Sequence, residues 1–205
     1  MALAVLSAGL LGLFIPAEFR LTNLFAYLYP AFLAVLLAVL VIGDPGRIDR
    51  DRRWLRVVTG VMILTITVVT AVSVARLIIG ILTKAAFANP SELLTIGAIV
   101  WITNVIAFGL WYWHLDSGGP AARARGTSHV EAAFQFPEEG IEAKITSGWY
   151  PQFVDYFALS FNTSTAFSPT DVSAIRHWSK LMLALESAIS LAIVGLVVAR
   201  AVNVL

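Results

Sequence analysis

The sequence predicts an all-α integral membrane protein, with four or five transmembrane helices and a re-entrant pore-type helix, and three observations carry that prediction. Of its 205 residues 59% are hydrophobic and 13% charged, against about 25% charged in an ordinary soluble domain. Mean hydropathy is +0.82. The apolar residues are gathered into runs long enough for a helix, rising about 1.5 Å per residue, to cross a hydrocarbon layer about 30 Å thick.

Four runs meet that length: 24–42, 54–82, 93–114 and about 178–202. A fifth, 2–15, is shorter and stops at Pro16, so it is a stubby span or an interfacial helix. It has no preceding Lys or Arg and no small-x-small cleavage site, and reads as retained rather than as a signal peptide. The breaks are well marked: Pro16 with Glu18 and Arg20, then GDPGRIDRDRR (43–53), then 88–91 around Pro90, then a long polar stretch, 116–148. Asn89 or Ser91 is positioned to cap the third long run, with Glu92 in its first turn. The chain thus divides into N-terminal transmembrane helices (1–115), a polar amphipathic connector (116–150) and a final helix–turn–helix unit (151–205).

Lys and Arg near the spans set the orientation. Arg47, Arg50, Arg52, Arg53 and Arg56 crowd one linker, which is expected to be cytoplasmic. Taking the spans in turn puts Arg123, Arg125, Lys144, Arg176 and Lys180 on the same side, ten of the 14 basic residues. Asp44, Asp49 and Asp51 neutralise part of the first cluster, which favours an orientation signal over recognition of anionic lipid.

Composition excludes several function classes. A net charge of +1 gives no basic field for nucleic acid. The absence of cysteine removes disulfides, thiolate nucleophiles and Cys-ligated metals. His114, His129 and His177 are too scattered to pair on one helix face, so no metal site or cofactor is expected. Ser160, Asp155 and His177 lack a nucleophile setting, and an enzyme is not expected.

The last quarter of the chain is the most informative. It reads as a short apolar helix near Phe153 to Phe161, a polar turn, and a membrane-length helix, which is the order of a re-entrant loop. The pair Ser160 and Phe161, the Thr-rich turn Thr163 to Thr165, Asp171, the run Leu185, Glu186 and Ser187, and the end Ala199 to Val202 resemble the pore module of the tetrameric cation channels, the potassium-channel superfamily. The resemblance implies a channel-like ion permeation unit in the lipid bilayer, a homo-oligomer with four subunits, and an inorganic ion as permeant. On that reading Thr163, Thr165, Ser168 and Asp171 line a polar mouth, Phe167 is a hydrophobic constriction, and the path continues past Glu186. The charge partition has this loop enter from the cytoplasm, as in ionotropic glutamate receptors and opposite to potassium channels.

The departures from that pattern are specific. Between Thr165 and Asp171 stand Ala166, Phe167, Ser168, Pro169 and Thr170, and no glycine occurs from Trp149 to Val194. A carbonyl filter needs left-handed backbone that is cheap only for glycine, so Phe167 and Pro169 are not expected to supply it. Conduction, if present, would therefore be poorly selective, and a non-conducting scaffold or accessory subunit that retains the pore fold is the alternative. A transporter coupled through Glu186 is a third reading.

Each motif also has a plain structural reading. Ser168, Pro169 and Asp171 have the spacing of a helix start, with Ser168 as cap and Pro169 at the first helical position. Glu186 costs about 3 kcal/mol at mid-bilayer if unpaired, so a hydrogen bond behind the loop is expected, with Asn104 the best partner in sequence. Trp111, Tyr112 and Trp113 read as interfacial anchors, and HLDSGGP (114–120) as a helix stop. In the connector, Glu131, Glu138, Glu139, Glu142 and Lys144 interleave with Phe134, Phe136, Ile141 and Ile145, as in a surface-lying amphipathic stretch. Together, the motifs at 111–120 and 165–171 resemble a group of bacterial multi-span proteins, which implies a bacterial plasma membrane and supplies no activity.

Overall fold

The computed structural model describes residues 1–15, 24–43, 53–83, 90–126, 130–140, 149–169 and 171–204. Outside them lie Pro16, Glu18 and Arg20, the linker acids and arginines from Asp44 to Arg52, Lys84, Asn89, His129, Ile141, Glu142, Lys144, Ile145 and Thr170, so the expectations placed on those residues are not addressed.

The described chain is mostly helical. Its α-helices are α1 (Ala2–Phe14), α2 (Phe25–Gly43), α3 (Arg53–Leu82), α4 (Pro90–Leu115), α5 (Pro120–Arg125), α6 (Phe153–Ala166) and α7 (His177–Val204). Two-residue strands β1 (Phe134–Gln135) and β2 (Ser173–Ala174) form an antiparallel pair. Three helices are long and apolar enough to cross a membrane, over Arg53–Leu82, Ser91–Gly118 and His177–Val202, as in an integral membrane protein. Both α1 and α2 are apolar but shorter.

Local sequence explains the breaks. After Leu115 the backbone turns left-handed at Ser117, Gly118 and Gly119 (φ 49°, 78° and 98°), and Pro120 starts α5. The expected helix stop is therefore present, with two of its three unusual backbone angles on glycine. At the other end α4 begins at Pro90 and carries Glu92 in its first turn, so Ser91 lies inside the helix rather than capping it.

Helix α4 is the hub. In its most apolar stretch 72% of residues are buried, against 33% in α3 and 28% in α7. Its antiparallel run beside α3 is fixed by Trp111, whose indole N–H donates to Thr67 at 2.8 Å, and by Leu77 and Ile81 packing with Leu93 and Ile96. The hydroxyls of Thr59, Thr65, Thr67, Thr70 and Ser73 all bond back to carbonyls four residues earlier, so α3 satisfies its own polar groups as a membrane helix must. On another side, Gly109 lets α6 approach: a Cβ there would lie 3.2 Å from Phe157 Cα.

Among its described residues, the connector is not simply surface-lying. Phe134 and Phe136 are buried with Tyr112, Tyr156 and Leu159 in a cluster that closes one end of the bundle. Phe134 meets Tyr112, Tyr156 and Trp178 edge-on. Burial of two aromatic rings in the bundle is strongly favourable, and it overrides the amphipathic surface reading for these residues.

Candidate functional site

Three helices meet along a polar seam built at four-residue spacing. Such spacing puts side chains on one helical face. Tyr156, Ser160 and Ser164 face inward from α6, Asn104, Tyr112 and Asp116 from the α4 side, and Ser179, Glu186 and Ser190 from α7.

The deep part of the seam converges on Glu186, which is wholly buried. Tyr112 donates its hydroxyl to one carboxyl oxygen at 2.6 Å, and Ser160 and Ser164 face the other, Ser164 at 3.0 Å. Behind them the Asn104 amide donates to Ser190 at 3.4 Å and Ser190 to Ser164 at 2.9 Å. Each hydroxyl of this relay has a single hydrogen, and that of Ser160 is shared between Glu186 and a backbone carbonyl. The Ser160 hydroxyl also lies 2.8 Å from the Val105 carbonyl, which ties α6 to the α4 backbone beside Gly109. The expected hydrogen bond of Glu186 is present, but Asn104 reaches it through two serines rather than directly. Tyr112 is not an interfacial anchor: it is fully buried, because its hydroxyl has a partner only inside the seam. Trp111 likewise spends its N–H on Thr67.

The upper part of the seam converges on Asp116, 1% exposed. One carboxylate oxygen accepts the Ala133 N–H at 2.7 Å and the other the Tyr156 hydroxyl at 2.5 Å. Arg123 donates to the carbonyls of Asp116 (2.5 Å) and Trp113 (2.7 Å), closing the end of α4, and its guanidinium lies 4.8 Å from the centre of the Tyr156 ring. Burial, with the nearby Asp116 and Glu138 charges, raises the Glu139 carboxyl above its ordinary value, against a lowering backbone bond at Phe136.

These bonds also fix the direction of the chain. Ser160 lies opposite Glu186 and Ser164 opposite Ser190, both with an offset of 26 residues, so α6 and α7 run parallel. Ala166 is therefore level with about residue 192 of α7, roughly 22 Å along the helix from His177. The ten residues 167–176 must cover that distance as a return segment from the end of α6 to the start of α7. Its far end is held by the β1–β2 pair, with Phe134 opposite Ala174 and Gln135 opposite Ser173.

Two expectations about this segment are corrected. The last helix starts at His177, so Ser168, Pro169 and Asp171 do not form its N-terminal turn. The β1–β2 pairing and the Ile175 N–H bond to the Ala133 carbonyl, 2.8 Å, hold the chain extended just before the helix instead, at Ser173 to Ile175. Phe167 does take a left-handed conformation (φ 54°, ψ 28°) and ends α6. The short helix also continues to Ala166, beyond the expected Phe161.

The six expected path residues separate into two groups. Thr165, Phe167, Ser168 and Asp171 are exposed along the α6 end and the return segment, whereas Thr163 and Glu186 are buried. Thr165 bonds back to the Phe161 carbonyl at 2.7 Å. The Thr163 hydroxyl has no hydrogen-bond partner among the described residues. Tyr112, Asp116, Ala133, Tyr156, Ser164 and Ser190 were not among the expected site residues. The four-residue spacing of Tyr112 with Asp116, and of Tyr156, Ser160 and Ser164, was the available signal. No family model matches this chain, and no match is found among curated proteins or solved structures.

Proposed function

We propose that the chain is one subunit of a membrane permeation unit in which α6, the return segment and α7 act as a re-entrant loop, with α1 to α4 and α7 as the membrane helices. The observation that carries this reading is the parallel run of α6 and α7 with a 26-residue offset, which is the arrangement expected of a chain that descends to mid-depth and climbs back. Non-helical backbone at membrane depth is tolerated only inside protein or beside water. Here Thr165, Phe167 and Ser168 are exposed on a single copy, which supports a homo-oligomer whose copies enclose a wet path along this face. Two sizeable grooves within the subunit, one between α1, α4 and α6 and one between α3, α4 and α7, have almost wholly apolar linings, and offer an ion no hydrated route.

Asp171, exposed on the return segment, is the cation-attracting group of this path, and Thr165 and Ser168 are its polar lining. Glu186 is the pin that holds α6 against α7 and α4 rather than a group the ion meets. The basic residues Arg53, Arg56, Arg123, Arg125, Arg176 and Lys180 share the end at which α6 begins, which supports a cytoplasmic entrance.

The non-conducting scaffold remains the second reading, favoured by the lack of any glycine between Trp149 and Val194. Purified protein in liposomes separates the two, measured for potassium, sodium and chloride flux under matched gradients. Cation flux with weak potassium over sodium preference, reduced severalfold in cation-over-anion preference by Asp171→Asn, is the expected result. Strong potassium selectivity would refute the side-chain-lined path, and no flux from oligomeric, oriented protein would establish the scaffold.

A further inference from the structure

We propose that Asp116 is a positioning residue for the return segment, acting through a single residue, Ala133. Ala133 is 1% exposed, and its N–H is taken by one Asp116 carboxylate oxygen at 2.7 Å. Its carbonyl accepts the Ile175 N–H at 2.8 Å and lies 3.0 Å from the Ser179 hydroxyl, whose single hydrogen is shared with the Arg176 carbonyl at 2.8 Å. The first contact holds the end of the return segment and the second meets the first turn of α7. One residue thus joins the end of α4 to both.

Asp116 is itself well fixed. Its carbonyl is held by Arg123 and the Gly119 N–H, and its other carboxylate oxygen by Tyr156. A buried N–H needs an acceptor, so without the carboxylate the Ala133 peptide must shift, and β1 with it. The β1–β2 register then loses its reference, and residues 171–176 follow. In this way the geometry of the return segment is set from α4, through the connector, by a contact outside the proposed path.

The importance of that geometry rests on the permeation reading, but the contact can be tested without it. Hydrogen exchange of the purified protein, with no ion flux involved, reads the protection of residues 171–176. Asp116→Ala should raise exchange there about tenfold, the order expected from losing one buried hydrogen bond. Asp116→Asn, whose amide oxygen can still accept from Ala133, should restore most of the protection. Tyr156→Phe, which leaves the Ala133 arm intact, should loosen α6 and leave 171–176 protected.

A disulfide across the strand pair, from Gln135→Cys and Ser173→Cys in this cysteine-free chain, bypasses the carboxylate. In the oxidised tether Asp116→Ala should no longer alter exchange at 171–176, and reductant should bring the effect back. If Asp116→Ala folds only with the tether closed, the proposal is equally supported. Unchanged exchange in untethered Asp116→Ala, failure of the tether to restore protection, or unfolding in both backgrounds would overturn it. Absence of flux in the wild-type protein would tell against the permeation reading and leave this result standing.

Discussion

Glu186 and Asp116 are both buried carboxyl groups bonded to a tyrosine hydroxyl, yet they hold different kinds of structure. Glu186 collects three side-chain hydroxyls from two other helices, and so fixes helix against helix. Asp116 gives one oxygen to a helix side chain and the other to the backbone of a connector, and so fixes a non-helical segment. The same functional group therefore serves packing at depth and positioning at the rim, and the difference lies in what donates to it.

The largest expected effect is at the deep anchor. Glu186→Leu leaves Tyr112 and Ser164 without their acceptor, while Ser160 keeps the Val105 carbonyl, and unsatisfied buried hydroxyls cost about 1 kcal/mol or more each. We expect a loss of about 2 kcal/mol or more, read from denaturant unfolding in detergent by tryptophan fluorescence, with membrane insertion retained because the helix becomes more apolar. A leucine variant as stable as the wild type would dissolve the distinction between the anchors. The next effect compares the two phenols. Tyr112→Phe and Tyr156→Phe each remove one hydroxyl donor and keep the ring, so each should cost about 1 kcal/mol. If the anchors act independently, the double variant should be additive within about 0.5 kcal/mol. Both rings touch Phe134, and a larger coupling would mean that the aromatic cluster, rather than the carboxyls, links depth to rim.

The smallest effect is at the turn between them. Phe167 is a non-glycine residue in left-handed backbone, which costs about 1 kcal/mol. Phe167→Gly should stabilise the protein by about 0.5 kcal/mol, the relief being offset in part by the greater freedom of the unfolded chain. A clear destabilisation would mean that the ring contributes more by packing than the backbone loses by strain.

Most of the helical architecture was legible in the sequence, because an apolar run of membrane length has few other fates. The order short helix, turn, long helix was legible for the same reason. The registers were not. Ser160 and Ser164 on α6 look like ordinary helix-weakening residues until Glu186 and Ser190 are found opposite them, and nothing local reveals a 26-residue offset. Ser168, Pro169 and Asp171 are a valid local signal for a helix start, overridden by a strand partner about 40 residues away at Phe134. Phe167 shows the converse: composition disfavours left-handed backbone there, and the surrounding structure imposes it. Tyr112 was misread because an aromatic near a span end fits the headgroup layer equally well, and only its hydroxyl partner distinguishes the two.

The length of α6 has a consequence for how the protein is made. At 14 residues it reaches about 21 Å, short of the roughly 30 Å hydrocarbon layer, and it carries Asp155, Ser160, Asn162, Thr163, Ser164 and Thr165. Such a segment has little tendency to leave the insertion machinery for lipid by itself. The Val105 carbonyl that accepts from Ser160 and the Gly109 surface are already in place on α4, but the partners of Ser164 are on α7, which is synthesised later. Full docking of α6 in the bundle therefore waits for α7, and a span translated after the loop is the one that completes its folding.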